Sequence, residues 1–170
     1  MNKFFGVWII AILFLGVILT GLFGGDAVTK TTTVTMPVPN GYVNDLADVI
    51  SAEKQAELEA ALLLFAESGK GEIAVLTIET TSPDSIEQYG VKLASAWKVG
   101  SSEEDNGVVL ILATKDRKVR IEVGYGAEAV LTDAQSGRIL DNDVVPYLKS
   151  QNWEVGVTSG VSAIINELTN

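Results

Sequence analysis

One stretch, residues 104–126, constrains the fold of this chain more than any other. Its residues 108–112 form an unbroken apolar run, which is typical of a strand covered on both faces. Residues 117–123 alternate polar and apolar side chains, which is typical of a strand with one face in water. A hairpin brings the start of its first strand beside the end of its second, so we expect residues 105–107 and 124–126 at the same edge of a sheet.

The segments around this hairpin predict an α/β fold. Four segments after residue 50 repeat apolar side chains every three or four residues, which indicates amphipathic helices. Residues 73–78 predict another buried strand, and the helix that follows them implies a right-handed crossover to a parallel strand at 108–112. We therefore expect a three-layer α/β/α sandwich with a small mixed sheet. The helices are expected from Ser51 to Gly69, from Ser82-Pro83 through Trp97, from Thr132 towards Pro146, and from Asn152 to Leu168.

The N-terminal residues predict one transmembrane helix in front of this domain. Residues 4–25 carry no charge and are numerous enough to cross a bilayer, and Lys3 should stay on the cytoplasmic side. A cleaved signal peptide is the alternative. The retained anchor is preferred, which makes the chain a single-pass cell-membrane protein with an extracytoplasmic domain. The predicted organisation is an anchor at residues 1–25, a Thr- and Pro-rich linker at 26–40 and an α/β domain at 41–170.

The composition excludes several kinds of site. The chain has no cysteine and no histidine, so it cannot form disulfides, thiol nucleophiles, histidine bases or ordinary zinc sites. A formal net charge of -10 disfavours nucleic acid as a partner and favours a hard cation as a ligand. The same charge also has a simpler explanation, because it keeps a protein soluble.

Oxygen ligands are expected to gather at the hairpin edge. Asp105 and Asn106 directly precede the buried strand, and Asp133 follows the hairpin at the start of a helix. A bound Ca²⁺ or Mg²⁺ would relieve the repulsion between acids gathered there. Each residue also has a structural explanation. Asp105-Asn106-Gly107 suits a turn, and Asp133 suits the first turn of a helix.

Two further features lie on or after the second strand of the hairpin. Arg120 is expected on the polar side of that strand, where it either pairs with Glu122 or binds phosphate. Residues 124–129 fit the G-x-G-x-x-[GA] pattern of a dinucleotide loop, but the strand before them belongs to a hairpin and not to a crossover unit. We expect no nucleotide there, and the glycines instead allow a tight exit from the sheet.

Six short motifs stand in one order between residues 41 and 168. They are VNDLA at 43–47, WKVG at 97–100, DNGVVL at 105–110, RIEVGYG at 120–126, LTDA at 131–134 and Val145-Pro146. Together they resemble the TPM domain of plant thylakoid-lumen and photosystem II repair proteins and of bacterial envelope proteins. The resemblance implies an α/β/α sandwich outside a membrane, binding of divalent cations, and an acid phosphatase activity described for some members. It also adds Asp45 to the candidate metal ligands Asp105, Asn106 and Asp133, although Asp45 equally suits a turn before a helix.

Two functions from different classes follow. The first is a membrane-anchored, extracytoplasmic module that binds a divalent cation at the Asp105/Asp133 edge and meets another envelope protein. The second is a metal-assisted acid phosphatase, in which the cation polarises a phosphoryl oxygen, Arg120 or a lysine stabilises the charge, and an acid or a metal-bound water attacks the phosphorus. A phosphatase needs a nucleophile with its base, and the sequence presents no such pair. The binding module is therefore the preferred interpretation.

Overall fold

The computed structural model describes residues 35–170, which form a four-stranded mixed sheet with helices on both faces. The strands follow one another across the sheet in chain order. The first three are parallel and the fourth is antiparallel to the third, which confirms the predicted mixed sheet. The first strand was not predicted, because three residues are too few to carry a pattern. The strands are β1 (Val43–Asp45), β2 (Glu72–Ile78), β3 (Gly107–Ala113) and β4 (Lys118–Val123).

Residues 35–170 contain four helical segments, as predicted, but the third is divided. The segment that Thr132 opens begins as an α-helix and widens into a π-helical turn at Leu140–Val144. In this turn the N–H of Val145 donates to the carbonyl of Leu140, and the helix resumes across Pro146, which has no N–H to donate. The helices are α1 (Ala52–Glu67), α2 (Ile86–Trp97), α3 (Asp133–Ile139), α4 (Val145–Lys149) and α5 (Trp153–Thr169).

The start of α2 differs from the prediction. Ser82 and Pro83 do not open the helix; they lie in a turn, and Ser85 is the N-cap, accepting a hydrogen bond from the backbone N–H of Gln88. The turn is held from the neighbouring hairpin, because Asp116 accepts the backbone N–H of Thr81 at 2.8 Å. The prediction of a Ser82-Pro83 cap is therefore wrong by three residues.

Two hydrophobic cores lie on opposite faces of the sheet. Alternate residues of β3 point to each face, and all seven residues of this strand are buried, which confirms the prediction of a strand covered on both sides. Helices α1, α3 and α5 contribute to one core and α2 to the other. The central side chains of the first core are Leu62, Val75, Leu110 and Ile164, and those of the second are Leu76, Tyr89, Leu93 and Ile111.

The predicted anchor at residues 4–25 lies outside the described residues. Among residues 35–170, no helix combines the length and apolar character needed to cross a membrane. The end of the predicted linker touches the domain: the indole N–H of Trp97 donates to the carbonyl of Pro37 at 2.7 Å, and Met36 packs against the α2 core. Residues 35–170 belong to one compact unit that contains both cores.

Candidate functional site

The hairpin of β3 and β4 brings residues 105–107 and 124–126 together, as predicted. The N–H of Gly124 donates to the carbonyl of Gly107 at 2.7 Å, and that of Gly126 donates to the carbonyl of Asp105 at 2.9 Å. The carboxylate of Asp105 accepts the N–H of Tyr125 at 3.1 Å. These bonds join the loop before β3 to the loop after β4.

Close backbone contact explains the two glycines of this edge. A Cβ atom on Gly126 would lie 1.7 Å from the carbonyl oxygen of Glu104, and one on Gly124 would lie 2.3 Å from that of Asp105. Real Cβ atoms do not approach backbone oxygen so closely. The glycines therefore let the chain leave the sheet tightly, and the next helix begins only at Asp133.

The loop before β3 is ordered by its own side chains. The Asn106 side chain accepts the N–H of Ser101 at 2.9 Å and donates to the carboxylate of Glu104 at 2.7 Å. Asp105 has a φ of 49°, a left-handed conformation that Asp adopts more readily than most residues. The Asp105 side chain is exposed, whereas Asn106 is half-buried and is engaged within the loop.

Asp133 lies in the first turn of α3 and is exposed. The N-cap beside it is complete without it, because Thr132 accepts the N–H of Gln135 and the Gln135 side chain returns to the Thr132 backbone. Gln135 also donates to Glu167 of α5. Within residues 35–170, no group of three or more acidic side chains is arranged to hold a metal ion.

Asp45 lies at the other end of the sheet from Asp105. It pairs with Thr77, which pairs with Leu112, whereas Asp105 precedes the first residue of β3. The separation along β3 from Gly107 to Leu112 is five residues at about 3.3 Å each, or about 17 Å. A single ion therefore cannot contact both carboxylates. Asp45 instead accepts the N–H groups of Val49 and Ile50, and the Thr77 hydroxyl donates to it.

Arg120 forms an ion pair with Glu122 on the same strand, beneath α2. A Cβ atom on Gly90 of α2 would lie 2.9 Å from a carboxylate oxygen of Glu122 and 3.2 Å from Nε of Arg120. The pair therefore fills the space that Gly90 leaves between helix and sheet. The Arg120 side chain keeps 34% of its surface exposed.

An open groove of about 460 Å³ lies between the end of α2 and the joined loops. Val91, Ala94 and Val99 supply apolar surface, and Lys98 and Glu122 supply charge of both signs. Tyr125 stands beside it with 81% of its surface exposed. Asp105 also lines this groove, so one of the predicted cation ligands belongs to it.

Comparison with known proteins identifies the domain. A family model described as the TPM domain matches residues 43–167, which is most of the chain. The chain belongs to the TPM domain family. The resemblance that the six motifs predicted is therefore confirmed. No curated protein matches this TPM domain protein.

Solved structures share its fold. The N-terminal domain of a P. gingivalis protein is 32% identical, with a TM-score of 0.70, covering 75% of this chain and 81% of that one. The BA42 protein of Bizionia argentinensis is 21% identical with a TM-score of 0.62, covering 72% and 83%. The N-terminal domain of a Corynebacterium glutamicum protein is 19% identical with a TM-score of 0.59, covering 79% and 86%. All three were determined by NMR, and the second and third show likeness of fold alone.

The groove of this TPM domain was not predicted as a site. The sequence feature that marks its position is the motif WKVG at residues 97–100. In the structure Lys98 ends α2 in a left-handed conformation, and Gly100 has a φ of 91°. A Cβ atom on Gly100 would lie 2.4 Å from the backbone nitrogen of Gly107. The motif therefore brings the helix end against the start of β3 and forms one wall of the groove.

Proposed function

We propose that this TPM domain is a binding module, held outside a membrane by its N-terminal apolar segment, whose groove receives part of another envelope protein. The observation that carries the proposal is Tyr125. The residue is 81% exposed, and its backbone N–H donates to the Asp105 carboxylate at 3.1 Å, which restrains the loop that carries it. Rigid, exposed aromatic side chains dominate the energetics of protein interfaces, because they bury much surface at a small entropic cost.

The groove beside Tyr125 suits a peptide segment. Its volume of about 460 Å³ accommodates a few side chains, and its wall from α2 includes Val91, 56% of which is exposed. Lys98 and Glu122 lie on its sides, where they favour a partner with charges of both signs. Apolar surface with a few charged groups around it is the usual composition of such interfaces.

A divalent cation, Ca²⁺ or Mg²⁺, is proposed as part of this interface. Asp105 is exposed and contributes one carboxylate oxygen to the Tyr125 N–H, which leaves the other for an ion. Mg²⁺ commonly binds through one or two carboxylates and keeps several waters. Asp133 would supply the second carboxylate. Asn106 would hold the loop that carries Asp105, through its bonds to Ser101 and Glu104. Asp45 is left out of this proposal, because it lies about 17 Å further along the sheet.

Acid phosphatase activity is the second candidate, because the matched family model carries the word phosphatase in its name. Against it, within residues 35–170 no hydrogen bond joins a hydroxyl of the groove to a carboxylate that could act as its base: Ser101 accepts the N–H groups of Glu103 and Glu104. Arg120 is engaged with Glu122. Hydrolysis of p-nitrophenyl phosphate that disappears in a folded Asp105→Asn protein would favour this alternative.

Site-specific cross-linking tests the binding module. With p-benzoylphenylalanine at position 125 of the full chain in its native membrane, we expect one cross-linked envelope protein. The same group at Leu64, an α1 residue that is 67% exposed, is the matched control and should not capture that protein. Identical adducts at both positions, or none at position 125, would rule out the groove as the binding surface.

A further inference from the structure

The outer edge of β4 has unpaired backbone groups. β4 is the last strand of the sheet, so among residues 35–170 only β3 pairs with it. In an antiparallel pair of strands, residues that bond to the neighbouring strand alternate with residues that do not. The bond from the N–H of Gly124 to the carbonyl of Gly107 shows which residues belong to each set. Even-numbered residues of β4 therefore bond towards β3. The residues that direct N–H and C=O groups outwards are Val119, Ile121 and Val123.

A second groove lies beside this edge, on the sheet face opposite the Tyr125 groove. It has a volume of about 270 Å³, and its apolar surface comes from Val119, Val145, Leu148 and Trp153. This is slightly below the volume of pockets that enclose whole small molecules. It suits one or two apolar side chains. Arg117 and Lys149, both exposed, also line it.

The edge is basic although the chain is acidic. Five of the 12 lysines and arginines lie on the β3–β4 hairpin and α4, in a chain whose net charge is -10. Lys115 pairs with Glu79, and Arg120 with Glu122. Within the part of the chain that the structure describes, the remaining three have no salt-bridge partner. They are Arg117, Lys118 and Lys149.

We propose that this edge binds an extended, acidic segment of a partner protein as a fifth strand of the sheet. The outward backbone groups of β4 would pair with the segment, and one of its apolar side chains would enter the second groove. Asp or Glu side chains of the segment would meet Arg117 and Lys149. A second copy of the chain fits less well, because two basic edges would face each other. The second groove shares no residue with the Tyr125 groove, and of the edge residues only Val123 also lines the latter, so the proposal does not depend on the function of the Tyr125 groove.

The probe is the blocked peptide acetyl-Glu-Val-Glu-Leu-Glu-Val-amide, added to residues 32–170. This fragment contains both cores, and similar N-terminal domains were solved in isolation. We expect hydrogen exchange at the amides of Val119, Ile121 and Val123 to slow on binding, while the amides of the even residues, already bonded to β3, do not change. A peptide with lysine in place of each glutamate should bind at least about tenfold more weakly.

Charge-reversal variants test the role of the two cations. Arg117→Glu/Lys149→Glu should weaken binding of the glutamate peptide at least about tenfold. The matched variant Lys70→Glu/Arg138→Glu changes the net charge equally at exposed positions outside the groove, and it should weaken binding less than about twofold.

Four results would overturn the proposal. Equal binding of the lysine peptide, or equal weakening by both double variants, would show that the basic edge does not select acids. Exchange that slows equally at even and odd residues would show that no strand is added. Protection of the odd residues without peptide, rising with protein concentration, would assign the edge to a second copy of the chain.

Discussion

Replacement of Asp45 distinguishes a structural carboxylate from a metal ligand. Asp45 accepts the N–H of Ile50 at 2.8 Å and that of Val49 at 3.0 Å, and it accepts the hydroxyl of Thr77, which is fully buried. Hydrogen bonds to a charged group contribute about 1 kcal/mol more than neutral ones. Asp45→Asn keeps the shape but removes the charge from three bonds, so we expect a loss of about 2 kcal/mol, reduced from about 3 because the site is half-buried. For a domain of this size the midpoint of thermal unfolding should fall by about 4–8 °C.

The assay is urea unfolding of residues 32–170, followed by circular dichroism at neutral pH. Asp48→Asn is the matched control, because Asp48 belongs to the same turn but is exposed and has a φ of 54°, which Asn tolerates. It should change stability by less than about 0.5 kcal/mol. Equal losses in the two variants would refute the structural role. The structural role would also be refuted if Ca²⁺ stabilised the wild type and Asp48→Asn but did not stabilise Asp45→Asn.

Two further predictions concern Asp105 and Asp116. Titration with Ca²⁺ or Mg²⁺ should shift the amide NMR signals of residues 105–107 with affinity on the order of millimolar, and Asp105→Asn but not the exposed Asp141→Asn should remove the shift. An unchanged wild-type spectrum would end the cation hypothesis. For Asp116, the bond from the Thr81 N–H holds its pKa below the ordinary 3.8. A carboxylate whose pKa is lower in the folded than in the unfolded state stabilises the fold at pH values above its unfolded-state pKa, and this stabilisation is lost as the pH falls through the folded-state pKa. The stability advantage of the wild type over Asp116→Asn should therefore be complete at about pH 6 and shrink below about pH 4. An advantage that does not vary with pH would contradict this.

The hairpin edge could be predicted from the sequence because strand periodicity determines it. An apolar run followed by an alternating run specifies two strands, their order and their antiparallel pairing. Residues 105–107 and 124–126 then meet whatever the rest of the chain does, and the bond from the N–H of Gly126 to the carbonyl of Asp105 confirms it. The apolar spacing of the four helical segments was also readable, since each buries side chains in one of the two cores.

Positions that depend on distant parts of the chain could not be predicted. Asp45 was grouped with Asp105 through family resemblance alone, and only the parallel pairing of the three-residue β1 places it at the opposite end of the sheet. The turn that precedes α2 is held by Asp116, 35 residues away from the Thr81 backbone that it binds. A Ser-Pro pair is a good local signal for a helix start, but here Ser82 and Pro83 lie in that turn, and Ser85 caps α2 through its capping box with Gln88.

The carboxylates of this domain are divided between two tasks. Asp45 and Asp116 accept the backbone N–H groups of Ile50 and Thr81 and hold loops in place, and within residues 35–170 no other acceptor serves those donors. Asp105 accepts the Tyr125 N–H in the same way but remains exposed, so the bond restrains the loop while the aromatic side chain stays accessible to solvent. An enzyme of this composition would need a nucleophile, which is either a hydroxyl or carboxylate beside its base or a metal-bound water, whereas a binding module needs only ordered loops and exposed anchors. The bonds around Tyr125 meet the second requirement, which is why recognition, and not hydrolysis, is the function to test first.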